Sequence, residues 1–415
     1  MAATPALNAV SNIHPDFSTK PRGFKLRTRL AGWLEAYILP LGLFVLLTGM
    51  FWSGDRALYH RLFYALVAFP AFIAAIVRPT LLRDLADSVI GLPFLVFSAF
   101  TLLSIFWSDS DDGVDSLIKR PLYVALLFVA AIAVRQLQPI RGRQVLLAAL
   151  ATSVITGVVY LTLFAPAYGP GARLSGYGAL YNPLLTSHVF GFFLAIAIAA
   201  WVERRQAFPL PIVAATMVLG MVIVATGSRT PLVGITATVL WLAALSGDRR
   251  GVIAAAALVG TGLLVASLWP DLLTDRGTSY RPEIWSDTLR QISEKPIFGH
   301  GYDHPLEIYL EGIADAFRDP HNMILAVLYY GGLVGLALWV WLYGAAVLAC
   351  WRQRHDPAVF ICSATLIYGL AASMTEGGAF LSRPKEHWFL IWIPFALLAA
   401  TTLKSKHDGR LSRQE

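Results

Sequence analysis

Residues 321–351 read HNMILAVLYYGGLVGLALWVWLYGAAVLACW, an unbroken run with no Asp, Glu, Lys or Arg. A helix needs about 20 mostly apolar residues to cross the hydrocarbon core of a bilayer, so this run predicts a membrane-spanning helix with length to spare. Runs of similar character lie on either side, at 34–52, 60–77, 88–107, 117–134, 144–165, 183–202, 208–226, 231–246, 251–269, 357–375 and 387–403. Together they make twelve, and the expected fold class is an all-α polytopic integral membrane protein. Composition agrees. The chain of 415 residues is 56% hydrophobic and 14% charged, with a mean hydropathy of +0.60. A soluble enzyme cannot bury that much apolar surface, and a disordered chain carries far less of it. Pro183, Pro231 and Pro320 stand where first helical positions are expected.

The formal charge of +7 is spread over small clusters between the apolar runs. That pattern speaks for membrane topology and against nucleic acid. The segment 1–33 is polar and basic and lacks a small-residue cleavage site after a short apolar run, so it is expected to be a cytoplasmic tail. With that assignment, 20 of the 33 basic residues fall on the cytoplasmic side, in phase with every connector. The expected layout is helices one to nine over 34–269, a large outside loop over 270–320, helices ten to twelve over 321–403, and a cytoplasmic tail over 404–415. The large loop should contain an amphipathic helix from Pro282 to Glu294, with Ile284, Trp285, Leu289 and Ile292 on one stripe. Such a helix could lie on the membrane surface or roof a cavity. Cys350 and Cys362 are too few for a disulfide framework and sit near cytoplasmic helix ends.

Cations on an otherwise acidic outer face need a reason. Arg229 sits in Thr226-Gly227-Ser228-Arg229-Thr230-Pro231, a tight break between two runs, with Thr230 expected as helix cap and Pro231 as first helical residue. A guanidinium beside a helix N-terminus is a good anion site; the plainer alternative is an interfacial arginine that snorkels. Arg281 opens the amphipathic helix, and its plain reading is a solvated loop charge. His321 follows Asp319-Pro320. With Asp319 as cap, its imidazole should lie in the first helical turn, kept neutral by the helix N-terminus and able to accept a proton as a general base. His300, Asp303 and His304 have metal-ligand spacing, and Asp109-Ser110-Asp111-Asp112 contains an acidic pair. An ordinary acidic loop explains them better, and no metal or cofactor is expected.

These residues form a pattern: Gly227-Ser228-Arg229, then Arg281 with Trp285, then Pro296-x-Phe298-Gly299-x-Gly301, His321-Asn322 and Gly331-Gly332-x-x-Gly335. Trp107-Ser108-Asp109, the stretch from Arg173 to Gly176, and Asn182-Pro183 also fit. The pattern resembles the O-antigen ligase/polymerase superfamily of bacterial cell-envelope glycosyltransferases, specifically over 226–335 and more loosely over nearly the whole chain. The resemblance implies a C-type, metal-independent glycosyltransferase of the inner membrane with a periplasmic site. It also implies a glycan donor on undecaprenyl diphosphate and, for a ligase, lipid A–core as acceptor. Carried over residue by residue, His321 matches the catalytic histidine. Arg229 and Arg281, with Arg173, match arginines that hold the diphosphate. Glu376, in Met374-Thr375-Glu376-Gly377-Gly378, and Asn322 match supporting positions, Glu376 loosely because the family often has Asp there.

Arginines can neutralise a diphosphate leaving group without a metal, and a neutral imidazole can activate an acceptor hydroxyl. The nearest rival is an O-antigen polymerase, with a second lipid-linked glycan as acceptor. A protein O-oligosaccharyltransferase would generally carry a further soluble domain. A twelve-span secondary transporter would show repeat symmetry and ionisable groups near the bilayer midplane.

Overall fold

The computed structural model describes residues 32–169, 171–203, 210–268, 280–313 and 315–403. Nearly all of both predicted tails, and the first part of the 270–320 loop, lie outside the described residues. Each of the twelve apolar runs is helical through most of its length. In chain order the helices are α1 (Leu34–Trp52), α2 (Arg56–Val77), α3 (Thr80–Asp87), α4 (Gly91–Trp107), α5 (Val114–Leu137), α6 (Pro139–Ala167), α7 (Pro183–Glu203) and α8 (Leu210–Thr226). They continue with α9 (Thr230–Ser246), α10 (Arg249–Leu268), α11 (Arg281–Ile292), α12 (Met323–Arg352), α13 (Pro357–Ser373), α14 (His387–Leu390) and α15 (Trp392–Thr402). Among the described residues, extended pairing is limited to one antiparallel bridge, Ile308 to Phe317. Among the described residues, six helices (α1, α2, α5, α6, α7 and α12) are long and apolar enough to cross a membrane individually. The protein is a multi-pass helical membrane protein.

Local chemistry sets several boundaries. The Asp55 carboxylate accepts the Leu58 N–H at 2.7 Å. This cap starts α2 at Arg56, ahead of the apolar run at 60–77. The run at 88–107, expected as one helix, is helical only from Gly91. It meets α3 across a turn at an angle of 92°. The chain breaks at Ser88, which is extended (φ −67°, ψ 135°) and whose hydroxyl accepts the Ile90 N–H at 3.3 Å ahead of α4.

The interior is centred on α7 and α5, which are 78% and 67% buried along their most apolar stretches, while that of α6 is 17% buried and lies at the periphery. Helix α7 packs on α8, α9 and α13; α5 packs on α15, and α4 on α12. Trp339, Trp388 and Trp392 are fully enclosed. In lipid, such packing rather than water exclusion holds helices together.

The longest helix is broken. At Gly332, φ is 59° and ψ is −158°. That conformation is closed to residues with a Cβ. The segment 296–301 enters the break and takes up the freed backbone groups. His300 N–H donates to Tyr329 O at 2.8 Å and Gly301 N–H to Tyr330 O at 3.0 Å. Leu333 N–H reaches Pro296 O at 2.9 Å, and Val334 N–H reaches Ile297 O at 3.1 Å. A Cβ on Gly332 would lie 2.4 Å from Ile297 C, and one on Gly299 would lie 2.5 Å from Gly331 N. The two glycine motifs singled out in the sequence are therefore the halves of one backbone contact. Irregular backbone at membrane depth is tolerated where protein satisfies it.

This contact docks the large loop onto α12. Ile284, Ile292, Leu306 and Ile308 form a small second core with Leu325 and Tyr329 of α12. The amphipathic helix thus runs from Arg281 to Ile292, and its inward stripe is Ile284, Thr288 and Ile292. Leu289, expected on that stripe, is 52% exposed. The i, i+4, i+8 spacing that meets α12 leaves it on the outer flank.

Candidate active site

His321 lies where the large loop turns into α12, and the turn differs from the expected one. The helix begins at Met323, capped by Asn322, whose side-chain oxygen accepts the N–H of Ile324 at 2.9 Å and of Leu325 at 3.2 Å. Asp319 instead accepts the N–H of His321 itself at 2.7 Å, and Pro320 stays outside the helix. His321 therefore precedes the cap, with φ of 48°. A histidine in the left-handed region is uncommon, and such local strain concentrates at functional sites. Trp285 Nε1 donates to Pro320 O at 3.0 Å and pins α11 to this corner.

The imidazole faces Glu376 from the segment after α13. His321 Nδ1 is 3.2 Å from Glu376 Oε1. Since an ionised carboxylate only accepts, Nδ1 carries the hydrogen and Nε2 remains for another partner. The other carboxylate oxygen, Oε2, is 3.6 Å from Nη2 of Arg281. Glu376 is 7% exposed. Its charge is therefore poorly screened by water and salt. Its hydrogen bond pushes His321 above the ordinary histidine value. Burial opposes this, the charges of Glu376 and Asp319 reinforce it, and Arg281 works against it. This corrects the expectation of a depressed, neutral imidazole: the helix starts three residues later, and a carboxylate outweighs the helix terminus. Burial pushes Glu376 up, but the His321 bond and the fields of His321, His188 and His387 leave it below the usual carboxylate range.

The remaining arginines sit in the neighbouring turn. Arg229 is itself the N-cap residue of α9, so Thr230 opens the helix and Pro231 takes its second position, one residue from the expected register. Thr230 is free to bond elsewhere, and its hydroxyl accepts from Thr375 Oγ1 at 3.3 Å. That bond ties the arginine turn to the residue before Glu376. Arg173 packs on the same turn: Nε donates to Thr226 O at 2.8 Å, and Nη2 donates to Ser228 Oγ at 3.0 Å. Thus Glu376 pairs with both His321 and Arg281, Arg229 and Arg173 occupy the adjoining turn, and Asn322 serves as the helix cap. The Nε of Arg281 is buried without a hydrogen-bond partner among the described residues.

The motif weighed for metal is occupied by loop packing. Asp303 accepts from Arg120 at 2.7 Å and from Ser110 Oγ at 2.9 Å. His300 stacks on Tyr329 with ring centroids 4.5 Å apart and bonds Gln291 O at 2.9 Å. Among the described residues, no group of three or more His, Cys, Asp or Glu side chains is arranged to hold a metal ion. Cys350 and Cys362 are free and buried.

Sequence reasoning missed an inner layer. His387 Nδ1 lies 3.1 Å from Glu386 Oε1, and Arg56 Nη2 donates to Glu386 Oε2 at 2.9 Å. Burial pushes Glu386 up, yet the His387 bond, followed by Lys385 and Arg56, holds it down at about 2. His188, fully buried, lies with its ring 5.9 Å from that of His387. One signal was available: His188 falls inside the apolar run 183–202, and an ionisable residue within a span is a functional candidate by default.

Comparison with known proteins adds two findings. A family model described as O-antigen ligase matches residues 212–340, which includes Arg229, Arg281, His321 and the glycine-lined break. An O-antigen ligase of Pseudomonas aeruginosa is 48% identical over 384 residues, covering 92% of this chain and 95% of its own.

Proposed function

The chain belongs to the O-antigen ligase family, and from that premise we propose that it transfers O-antigen glycan en bloc from undecaprenyl diphosphate to a sugar hydroxyl of lipid A–core. The observation that carries the mechanism is the His321–Glu376 pair at 3.2 Å, with Arg281 on the second carboxylate oxygen. Glu376 fixes the ring through Nδ1, and Nε2 accepts the proton of the acceptor hydroxyl. The hydroxyl oxygen bonds to the anomeric carbon as the carbon–oxygen bond to the diphosphate breaks. Undecaprenyl diphosphate leaves, and attack from the opposite face inverts the anomeric configuration. Arg281, Arg229 and Arg173 offset the charge that grows on the leaving group. Glu376 stabilises the imidazolium that results.

In this reading all twelve apolar helices cross the inner membrane, both termini are cytoplasmic, and the 270–320 loop with the site faces the periplasm. The protein needs no metal or other cofactor, and its partners are the two lipid-linked substrates and surrounding lipids. The bundle is then of the C-type glycosyltransferase kind. Cysteine placed at Glu311 should react with an impermeant thiol reagent in outer-membrane-permeabilised cells, whereas cysteine at His355 should react only after the inner membrane is broken. Reversed labelling overturns the topology.

The function itself is tested by deleting the gene and examining lipopolysaccharide and lipid-linked glycan together. Loss of a ligase leaves bare core and polymerised glycan on the carrier. Core bearing one repeat unit would instead identify a polymerase. Purified enzyme should work in excess EDTA; activity lost to EDTA and restored by magnesium would overturn the metal-independent mechanism.

A further inference from the structure

Directly after Glu376, Gly377 and Gly378 are gripped from two sides. Gly377 has φ of 94°, and a Cβ there would lie 2.8 Å from Cδ2 and 3.0 Å from Nε2 of His387. A Cβ on Gly378 would lie 2.8 Å from Asp319 Oδ1 and 2.9 Å from Pro320 Cδ. The ring of His387 therefore presses the turn that carries Glu376 against the corner that carries His321. The ring is itself held, because Nδ1 bonds Glu386, which in turn bonds Arg56. The edge bearing Nε2 faces the turn. Among the described residues, His387 Nε2, both ring nitrogens of His188 and Glu376 Oε2 are buried without a hydrogen-bond partner. Such clustered atoms call for an explanation, and ordered water is the usual one.

We propose that His387 is a positioning residue for the transfer reaction: anchored by Glu386 and Arg56, it tethers the Glu376 carboxylate through Nε2 and bridging water shared with His188, and so holds the His321 ring in register. This rests on the reading of His321 as base. The charged and titratable groups facing the cluster are Asp319 and Arg281 beside His321, His188 on α7, Lys385 and Glu386 on the segment before α14, and Arg56 on α2. The arrangement acts on the base from behind.

The test compares His387→Phe with His387→Gln in purified full-length enzyme. Phe keeps a ring against Gly377 but loses Nε2; Gln places an amide, able to donate or to accept, near the position of Nε2. In the Phe variant kcat should fall about tenfold or more, the worth of one hydrogen bond to a charged group. KM for the lipid-linked donor should hold, and the acid limb of the pH–kcat profile should move to lower pH as His321 loses its well-placed carboxylate. Gln should restore both. A role in packing alone predicts the reverse order, with Phe tolerated and Gln impaired, and that result overturns the proposal. If the Phe variant fails to insert, Glu386→Gln, which preserves volume, carries the test; an unchanged kcat and pH profile there also overturns it. Activity retained on replacing His321 would sink the base assignment itself. An inactive His321 variant beside a normal His387→Phe enzyme would sink only this inference.

Discussion

Replacing Glu376 by Gln removes one charge and almost no volume, so it isolates what the carboxylate does for His321. In the wild-type protein Oε1 lies 3.2 Å from Nδ1, on a side chain that is almost fully buried. A hydrogen bond to a charged group contributes about 1.5–3 kcal/mol. If that energy is felt mainly when the imidazolium forms, kcat should drop by about 10- to 150-fold. The pH dependence has a definite sign. Glu376 raises the folded-state pKa of His321, and a base works only when unprotonated. Losing the carboxylate lets the imidazole deprotonate at lower pH, so the acid limb of the Gln variant should move down even as its maximal rate falls. Initial rates across a pH series, with lipid-linked donor and core-only lipopolysaccharide as acceptor, separate the two effects. An unchanged kcat with an unmoved acid limb would refute the reasoning, and so would an acid limb displaced to higher pH.

His321→Asn, chosen because Asn tolerates the left-handed backbone that His321 adopts, should lose about 100- to 10,000-fold in rate while remaining folded and able to bind donor. Donor binding by the purified variant, measured beside its turnover, checks both halves. Arg229→Lys and Arg281→Lys keep the charge but lose the planar fork, so ligation at matched expression should fall sharply; wild-type activity in both would remove the diphosphate-clamp role. Gly332→Ala should cost at least about 1–3 kcal/mol from the left-handed backbone alone, and more from the clash with Ile297. Thermal melts in detergent should show it as a lowered transition temperature, and an unshifted transition would mean that the 296–301 segment does not fill the helix break.

The helices were legible because hydropathy is a local quantity. An uncharged run such as 321–351 commits to a helix whatever surrounds it, and so do its neighbours. His321, Arg229 and Arg281 were legible for a related reason: each stands beside a break in an apolar run, where a polar side chain must have a purpose or a solvent exit. What sits opposite those residues is not local. Glu376 meets His321 only because α12 and α13 pack together and Gly378 lies against Asp319 and Pro320, while the Thr375–Thr230 bond ties the same turn to Arg229. His188 and His387 meet behind them because α7 carries one to the other. The shift of the α12 start from Pro320 to Met323 was likewise decided by competition: Asn322 took the cap and left Asp319 to hold His321. Gly331-Gly332 read as a motif but could not announce a broken helix, since Gly332 leaves helical geometry only when the 296–301 backbone arrives to bond the freed groups. Propensity and hydropathy act over one or two turns of chain, whereas the protonation balance of His321 depends on a carboxylate that only helix packing brings within 3.2 Å.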